Sequence, residues 1–228
     1  MPVKEIQFVA ARKKTGKRRR AAVLVLEGAG RADLERSLDL ARTFDRKPLL
    51  IAVDGGVDTL QARRLTPDLF VGDIDSAREA PRGVDACVYP AAKDFSDLSG
   101  ALRESRKLAA EVVVIAGFLG GRLDHEWANL LEAAAHARAF GGILAPSKRG
   151  LVAVTSLGLR AETRPRRPVS VFAMGRSARI SLRGTSWELA RKPLPSGSLG
   201  LSNVTGKTLA LDVHQGVVAV VFTKGKLG

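Results

Sequence analysis

Five short runs of β-branched and aliphatic residues, at 22–26, 49–53, 69–71, 84–89 and 112–116, punctuate the first two-thirds of this 228-residue chain. They are continuous rather than alternating, the pattern of strands buried on both faces. Between several of them lie stretches with helical character at 32–44, 57–64, 96–109 and 123–140. In the third, Leu98, Ala101, Leu102, Leu108 and Ala109 recur with nearly helical spacing, and Ser96 stands where an N-cap belongs. Alternation of this kind predicts an α/β fold, a mostly parallel sheet with helices packed over it.

From about residue 147 the texture changes. Helical periodicity gives way to short alternating stretches at 151–155, 169–173, 178–182, 209–213 and 217–222, separated by glycines such as Gly158, Gly175, Gly197 and Gly216. Antiparallel strands at this spacing predict a β-sandwich or barrel. The expected organisation is a basic tail over 1–20, an α/β domain over 21–147 and a β-sandwich domain over 148–228.

The charge supports that division. Formal net charge is +14, and residues 1–20 carry half of it, with eight Lys or Arg against one Glu. The remaining +7 suits a domain that binds anions without requiring nucleic acid. The tail's Arg12, Lys13, Lys14 and the run 17–20 read as a solvated extension; a nucleic-acid arm, with salt-sensitive binding lost on truncation, is the alternative. Cys87 is the only cysteine, so no intrachain disulfide forms, and its apolar run suggests a buried thiol in a reducing compartment. No eighteen consecutive residues are apolar, and 21–26 is too short for a secretory signal. A cytoplasmic protein without a membrane span is expected.

Six acids gather in four short loops: Asp54 in Asp54-Gly55-Gly56, Asp73 and Asp75 in Gly72-Asp73-Ile74-Asp75-Ser76, Asp94 and Asp97, and Asp124 in Gly121-Arg122-Leu123-Asp124-His125. Ligands of open parallel sheets sit outside the carboxyl ends of the strands. Asp54, Asp73 and Asp124 are therefore expected on one rim, and an extended 73–75 would aim Asp73 and Asp75 to the same side. Hard carboxylate oxygens favour magnesium shared with phosphates, and the lack of Cys and His clusters argues against structural zinc. The glycines of 55–56 and 120–121 can admit phosphate oxygens to backbone N–H groups at helix starts, and Arg122 adds a charged fork. On a helix Arg122 and His125 share a face with each other, not with Asp124.

At these residues the chain resembles thiamine pyrophosphokinase. The resemblance rests on Asp54-Gly55-Gly56, then 67–76, then Lys93-Asp94-Phe95-Ser96-Asp97, then Gly120-Gly121-Arg122-Leu123-Asp124-His125, and further on 184–189 and Gly200-Leu201-Ser202-Asn203. It covers roughly 21–222 in the family's order. Two departures stand out: Glu27-Gly28 where Asn-Gly is common, and Val204 where a polar residue is common.

The resemblance implies transfer of a pyrophosphoryl group from ATP to the hydroxyl of thiamine, giving thiamine diphosphate and AMP, in a homodimer with interfacial active sites. It implies Asp73, Asp75 and Asp97 as magnesium ligands. Asp54, Gly55, Gly56, Lys93, Asp94, Gly121 and Arg122 would hold the nucleotide, with Asp124 and Arg122 at the reacting groups. Trp187, Ser202 and Asn203 would form the thiamine pocket. A pyrophosphokinase acting on a hydroxymethylpterin is the nearest alternative, because a shared ATP site would leave the same acidic loops.

Overall fold

A computed structural model describes residues 1–9, 20–73 and 81–225. Asp75, Ser76 and the basic positions from Arg12 to Arg19 lie outside the described residues. The described chain forms two compact units. One takes in 20–132 and 145–147, the other 1–9, 133–144 and 148–225.

The first unit is built on five parallel strands: β2 (Ala21–Val25), β3 (Leu49–Val53), β4 (Leu69–Asp73), β5 (Asp85–Tyr89) and β6 (Val112–Ala116). Their spatial order is β6-β2-β3-β4-β5, all neighbours pairing in parallel. Every residue of β2 and β6 is buried, as continuous apolar runs require. The fifth run departs from that expectation: β5 is largely exposed, Val88 is 48% accessible and Cys87 is only half-buried. Among the described strands β5 pairs with β4 alone, and a sheet edge has a neighbour on one side only.

Helices α1 (Arg31–Arg42), α2 (Gly56–Gln61), α3 (Asp97–Lys107) and α4 (Leu123–His136) follow successive strand ends. Ser96 caps α3 as its sequence suggests, its Oγ accepting from Ser99 N at 3.1 Å. The face carrying Leu98, Ala101 and Leu102 is buried, each leucine contributing about 2 kcal/mol of apolar burial. α2 begins against β2 so closely that a Cβ on Gly56 would lie 1.7 Å from Val25 O. Glycine there sets the approach of helix to sheet.

The second unit is antiparallel and β-rich. It contains β1 (Val3–Phe8), β8 (Gly150–Thr155), β9 (Gly158–Thr163), β10 (Pro168–Ala173), β11 (Ser177–Thr185), β12 (Leu189–Pro195), β13 (Asn203–Gln215) and β14 (Val218–Thr223), while β7 (Gly142–Pro146) straddles the division. The 13-residue β13 pairs β9 on one side and β11 on the other, and meets β10 near its start. The β-rich second half is therefore as expected, whereas the N-terminal tail needs correction. Residues 3–8 are not a solvated extension: β1 pairs with β9 and buries Val3, Ile6 and Phe8. Its alternation of apolar and polar residues is a strand signal, which the neighbouring basic run masks. Among the described residues no helix is long and apolar enough to cross a membrane.

Candidate active site

The parallel strands deliver their C-terminal ends to one rim, and a cavity of about 380 Å³ opens there within the α/β unit. Asp54 follows β3 directly and takes a left-handed conformation (φ 45°), which Asp tolerates better than most residues. Its N–H donates to Val71 O of β4 at 2.8 Å. The residue lines the cavity, and its Oδ1 is buried and accepts no hydrogen bond. Gly55 and Gly56 lie buried behind it at the start of α2.

Asp97, the first residue of α3, also lines the cavity. Its Oδ1 is buried without a hydrogen bond, yet it lies 3.1 Å from Lys93 Nζ as an ion pair. The same ammonium donates to Asp73 Oδ2 at 3.0 Å, so Lys93 ties the end of β4 to the start of α3. Burial works against the charged ammonium, but the two carboxylates outweigh it and hold its pKa above the ordinary lysine value. Asp94 is exposed, outside the cavity lining.

Arg122, just before α4, and His125, Glu126 and Asn129 of its first turns also line the cavity. These positions recur at three- and four-residue spacing and share one face. Asp124 belongs to another face and does not line the cavity. Its carboxylate takes a forked pair from Arg122, at 3.2 and 2.7 Å, and that bond holds its pKa below the ordinary carboxylate value. Gly121 lines the cavity, while the N–H of Gly120 is already occupied by Glu126 Oε1. Asn129 Nδ2 donates to Phe118 O at 3.1 Å. Glu126 and Asn129 thus fix the 117–121 loop from below.

Sequence reasoning passed over both residues, although their spacing from Arg122 and His125 was the available signal. It also gave no role to Glu27 and Gly28, which line the same cavity. They stand where the chain departs from the family's common Asn-Gly.

Trp187, Ser202 and Asn203 lie in the β-rich unit. Asn203 is buried and Trp187 is 64% exposed. Ser202 is exposed, has φ 59°, and its N–H donates to Ser170 Oγ at 3.1 Å.

Hard oxygen donors fit a divalent cation such as magnesium: Asp54 Oδ1 accepts no hydrogen bond, and Asp73 and Asp97 already hold one cation, the Lys93 ammonium. No cluster of three or more His, Cys, Asp or Glu able to hold a metal occurs among the described residues; Asp75, the third acid of the expected set, is outside them.

Fold and site together define an α/β domain with an acid-bearing cavity at the carboxyl rim of its sheet, joined in sequence to an antiparallel β-rich unit. Residues 40–139 match the family model "Thiamin pyrophosphokinase, catalytic domain". A thiamine pyrophosphokinase of Bacillus subtilis (strain 168) is 35% identical over 98 residues, a match spanning 40% of this chain and 46% of that protein. The crystal structure of thiamine pyrophosphokinase from Bacillus subtilis superposes with a TM-score of 0.72 at 22% identity, covering 90% of this chain and 99% of that one. That of a thiamin pyrophosphokinase family protein from Enterococcus faecalis gives 0.67 at 22% identity, covering 90% and 100%. The resemblance read in the sequence stands, and the fold is shared across both units.

Proposed function

We propose that the protein is a thiamine diphosphokinase, transferring pyrophosphate from ATP to the primary hydroxyl of thiamine and releasing AMP. The observation that carries this reading is the buried Oδ1 of Asp54, which accepts no hydrogen bond, on a cavity lined also by Asp97 and Arg122. Unsatisfied buried acceptors are costly, and a cation-bearing, phosphate-rich ligand would satisfy them. The family match over 40–139 supplies the reaction class.

In this reading the thiamine oxygen attacks the β-phosphorus in line, an O–P bond forms, and the bond from that phosphorus to the bridging oxygen of the α-phosphate breaks. AMP leaves with the oxygen. The protein's task is alignment and charge neutralisation. Arg122 and the N–H of Gly121 would bind phosphate oxygens. Asp54 is assigned to accept the hydroxyl proton, in preference to Asp124, whose carboxylate is committed to Arg122. Asp73 and Asp97, with Asp75, would hold magnesium, which when bound neutralises phosphate charge. Trp187 would supply an apolar face for thiamine, with Ser202 beside Asn203 at the same pocket.

We further place the enzyme in the cytoplasm as a homodimer whose partner completes the thiamine site. A coupled assay for AMP tests the proposal: turnover with thiamine and none with a hydroxymethylpterin is expected. Turnover with the pterin alone, or no ATP-dependent AMP release with either, would refute it. Sedimentation equilibrium should return twice the chain mass.

A further inference from the structure

The ammonium of Lys93 sits where two of the expected metal ligands meet. Its side chain is 7% exposed, against 18% for Asp73 and 27% for Asp97. Since Nζ is 3.0 Å from Asp73 Oδ2 and 3.1 Å from Asp97 Oδ1, the two carboxylates are held at most about 6 Å apart. Two carboxylates this close and this shielded repel, and the repulsion disfavours the ionised pair unless a cation intervenes. Lys93 is that cation in the protein as it stands. It lies in the turn between β5 and α3, its N–H donating to Pro90 O at 3.2 Å, so the backbone is anchored while the stem above it keeps four rotatable bonds. A lysine is suited to such duty because its charge is compact and its chain flexible.

We propose, building on the reaction assigned above, that Lys93 is a resident counter-cation for Asp73 and Asp97, holding the two acids in register before a divalent ion displaces it. The exchange balances: one positive charge leaves the carboxylate pair as two arrive. The freed ammonium, next to the same cavity, then has the phosphate chain as its anion. Lys93 is accordingly a positioning residue that raises the threshold for metal entry, so that the ion binds well only when nucleotide phosphates are present to receive the ammonium.

The test is a titration of Mn²⁺ alone into the nucleotide-free, full-length protein, followed by electron paramagnetic resonance. Lys93→Gln should bind Mn²⁺ at least tenfold more tightly than wild type, and adding ATP should narrow that difference. Lys93→Arg should stay near the wild-type affinity. A residue that merely braced the fold would loosen Mn²⁺ binding or leave it unchanged when replaced. In the wild type, the ¹⁵N-ammonium resonance of Lys93 should move on addition of Mg²⁺ with ATP, a readout that needs no variant to fold. Equal or weaker Mn²⁺ binding in Lys93→Gln, or a Lys93 resonance unmoved at saturating Mg²⁺ and ATP, overturns this role and leaves the proposed reaction intact. AMP formation without any divalent ion in the wild type overturns the metal assignment itself.

Discussion

Asn203 grips Trp187 by both of its backbone groups: Trp187 N donates to Asn203 Oδ1 at 3.0 Å, and Asn203 Nδ2 donates to Trp187 O at 2.7 Å. The same amide also donates to Thr185 Oγ1 at 3.1 Å, and its oxygen accepts from Val204 N at 2.8 Å. The amide is fully used, so Asn203 has no capacity left to bind thiamine directly. It acts by fixing the turn that presents the Trp187 ring.

Asn203→Ala should therefore weaken thiamine binding about as much as Trp187→Ala does, without touching the nucleotide site. Losing a buried amide that satisfies four neighbours costs about 1–3 kcal/mol, or roughly a five- to 150-fold rise in thiamine Kd. Thiamine titration by calorimetry checks this; an Asn203→Ala protein with wild-type thiamine affinity would remove Trp187 presentation from the account.

Replacing Asp54 by Asn trades function for stability. The change removes a charge whose Oδ1 is buried without a hydrogen bond, so the ligand-free protein should be as stable as wild type or more so. Turnover should fall by about a hundredfold or more, the usual scale for a positioned proton acceptor. Urea unfolding and the AMP assay, run on the same preparation, separate the two effects.

These outcomes depend on features that were legible in the sequence to different degrees. The central strands and the Ser96 cap could be read because each rests on local chemistry, apolar continuity or one side-chain acceptor. Asp54 could be placed at the carboxyl rim because parallel strands fix where their loops go, whereas Asp97 was expected at the site only through the family resemblance. Asp124 illustrates the limit of that argument. It follows the strand end at Ala116 as the pattern requires, but helical phase turns it toward Arg122 rather than into the cavity. β1 was hidden because a run of cations dominates the composition of the first twenty residues, β12 because its cations and prolines leave it largely exposed with little apolar alternation, and β9 because its partners β1 and β13 lie far away in sequence. Pairing across such distances leaves no local signal.

Gly56→Ala should be among the most damaging small substitutions in the α/β unit. Its Cβ would lie 1.7 Å from Val25 O and 2.6 Å from Val25 C, and both are backbone atoms of a fully buried central strand. Relief requires α2 to move off the sheet, costing about 3 kcal/mol by the scale of overpacked cores. Because α2 starts beside Asp54, nucleotide binding should weaken together with the urea midpoint.

Acid sensitivity should map in part to Glu104. Burial alone would raise its pKa, but hydrogen bonds from Lys107 Nζ and Tyr89 Oη, both at 2.8 Å, outweigh burial and leave it below the ordinary value of 4.5. A carboxyl with a depressed folded pKa binds protons more readily when unfolded. Its contribution to stability is therefore present above pH 4.5 and fades as pH falls through the folded value. Glu104→Gln should lower stability at neutral pH and flatten the acid limb of the stability curve. Denaturant midpoints measured from neutral pH downward should converge for the two proteins.

The 117–121 loop should be the part of the site most readily loosened without loss of fold. Two side chains from α4 hold it: Asn129 through Phe118 O, and Glu126 through Gly120 N–H. Neither is assigned to the reacting atoms, and both bonds lie at the cavity wall, so their loss frees the loop to sample other positions. Asn129→Ala leaves a carbonyl without its donor, while Glu126→Gln keeps the acceptor oxygen and removes only its charge. The first should raise KM for ATP roughly five- to tenfold, the net worth of one hydrogen bond, with a smaller change in kcat. The second should have about half that effect in free energy. Steady-state kinetics at saturating thiamine decides the matter: a fall in kcat with KM unchanged would mean that these residues act on the transition state and not on the loop.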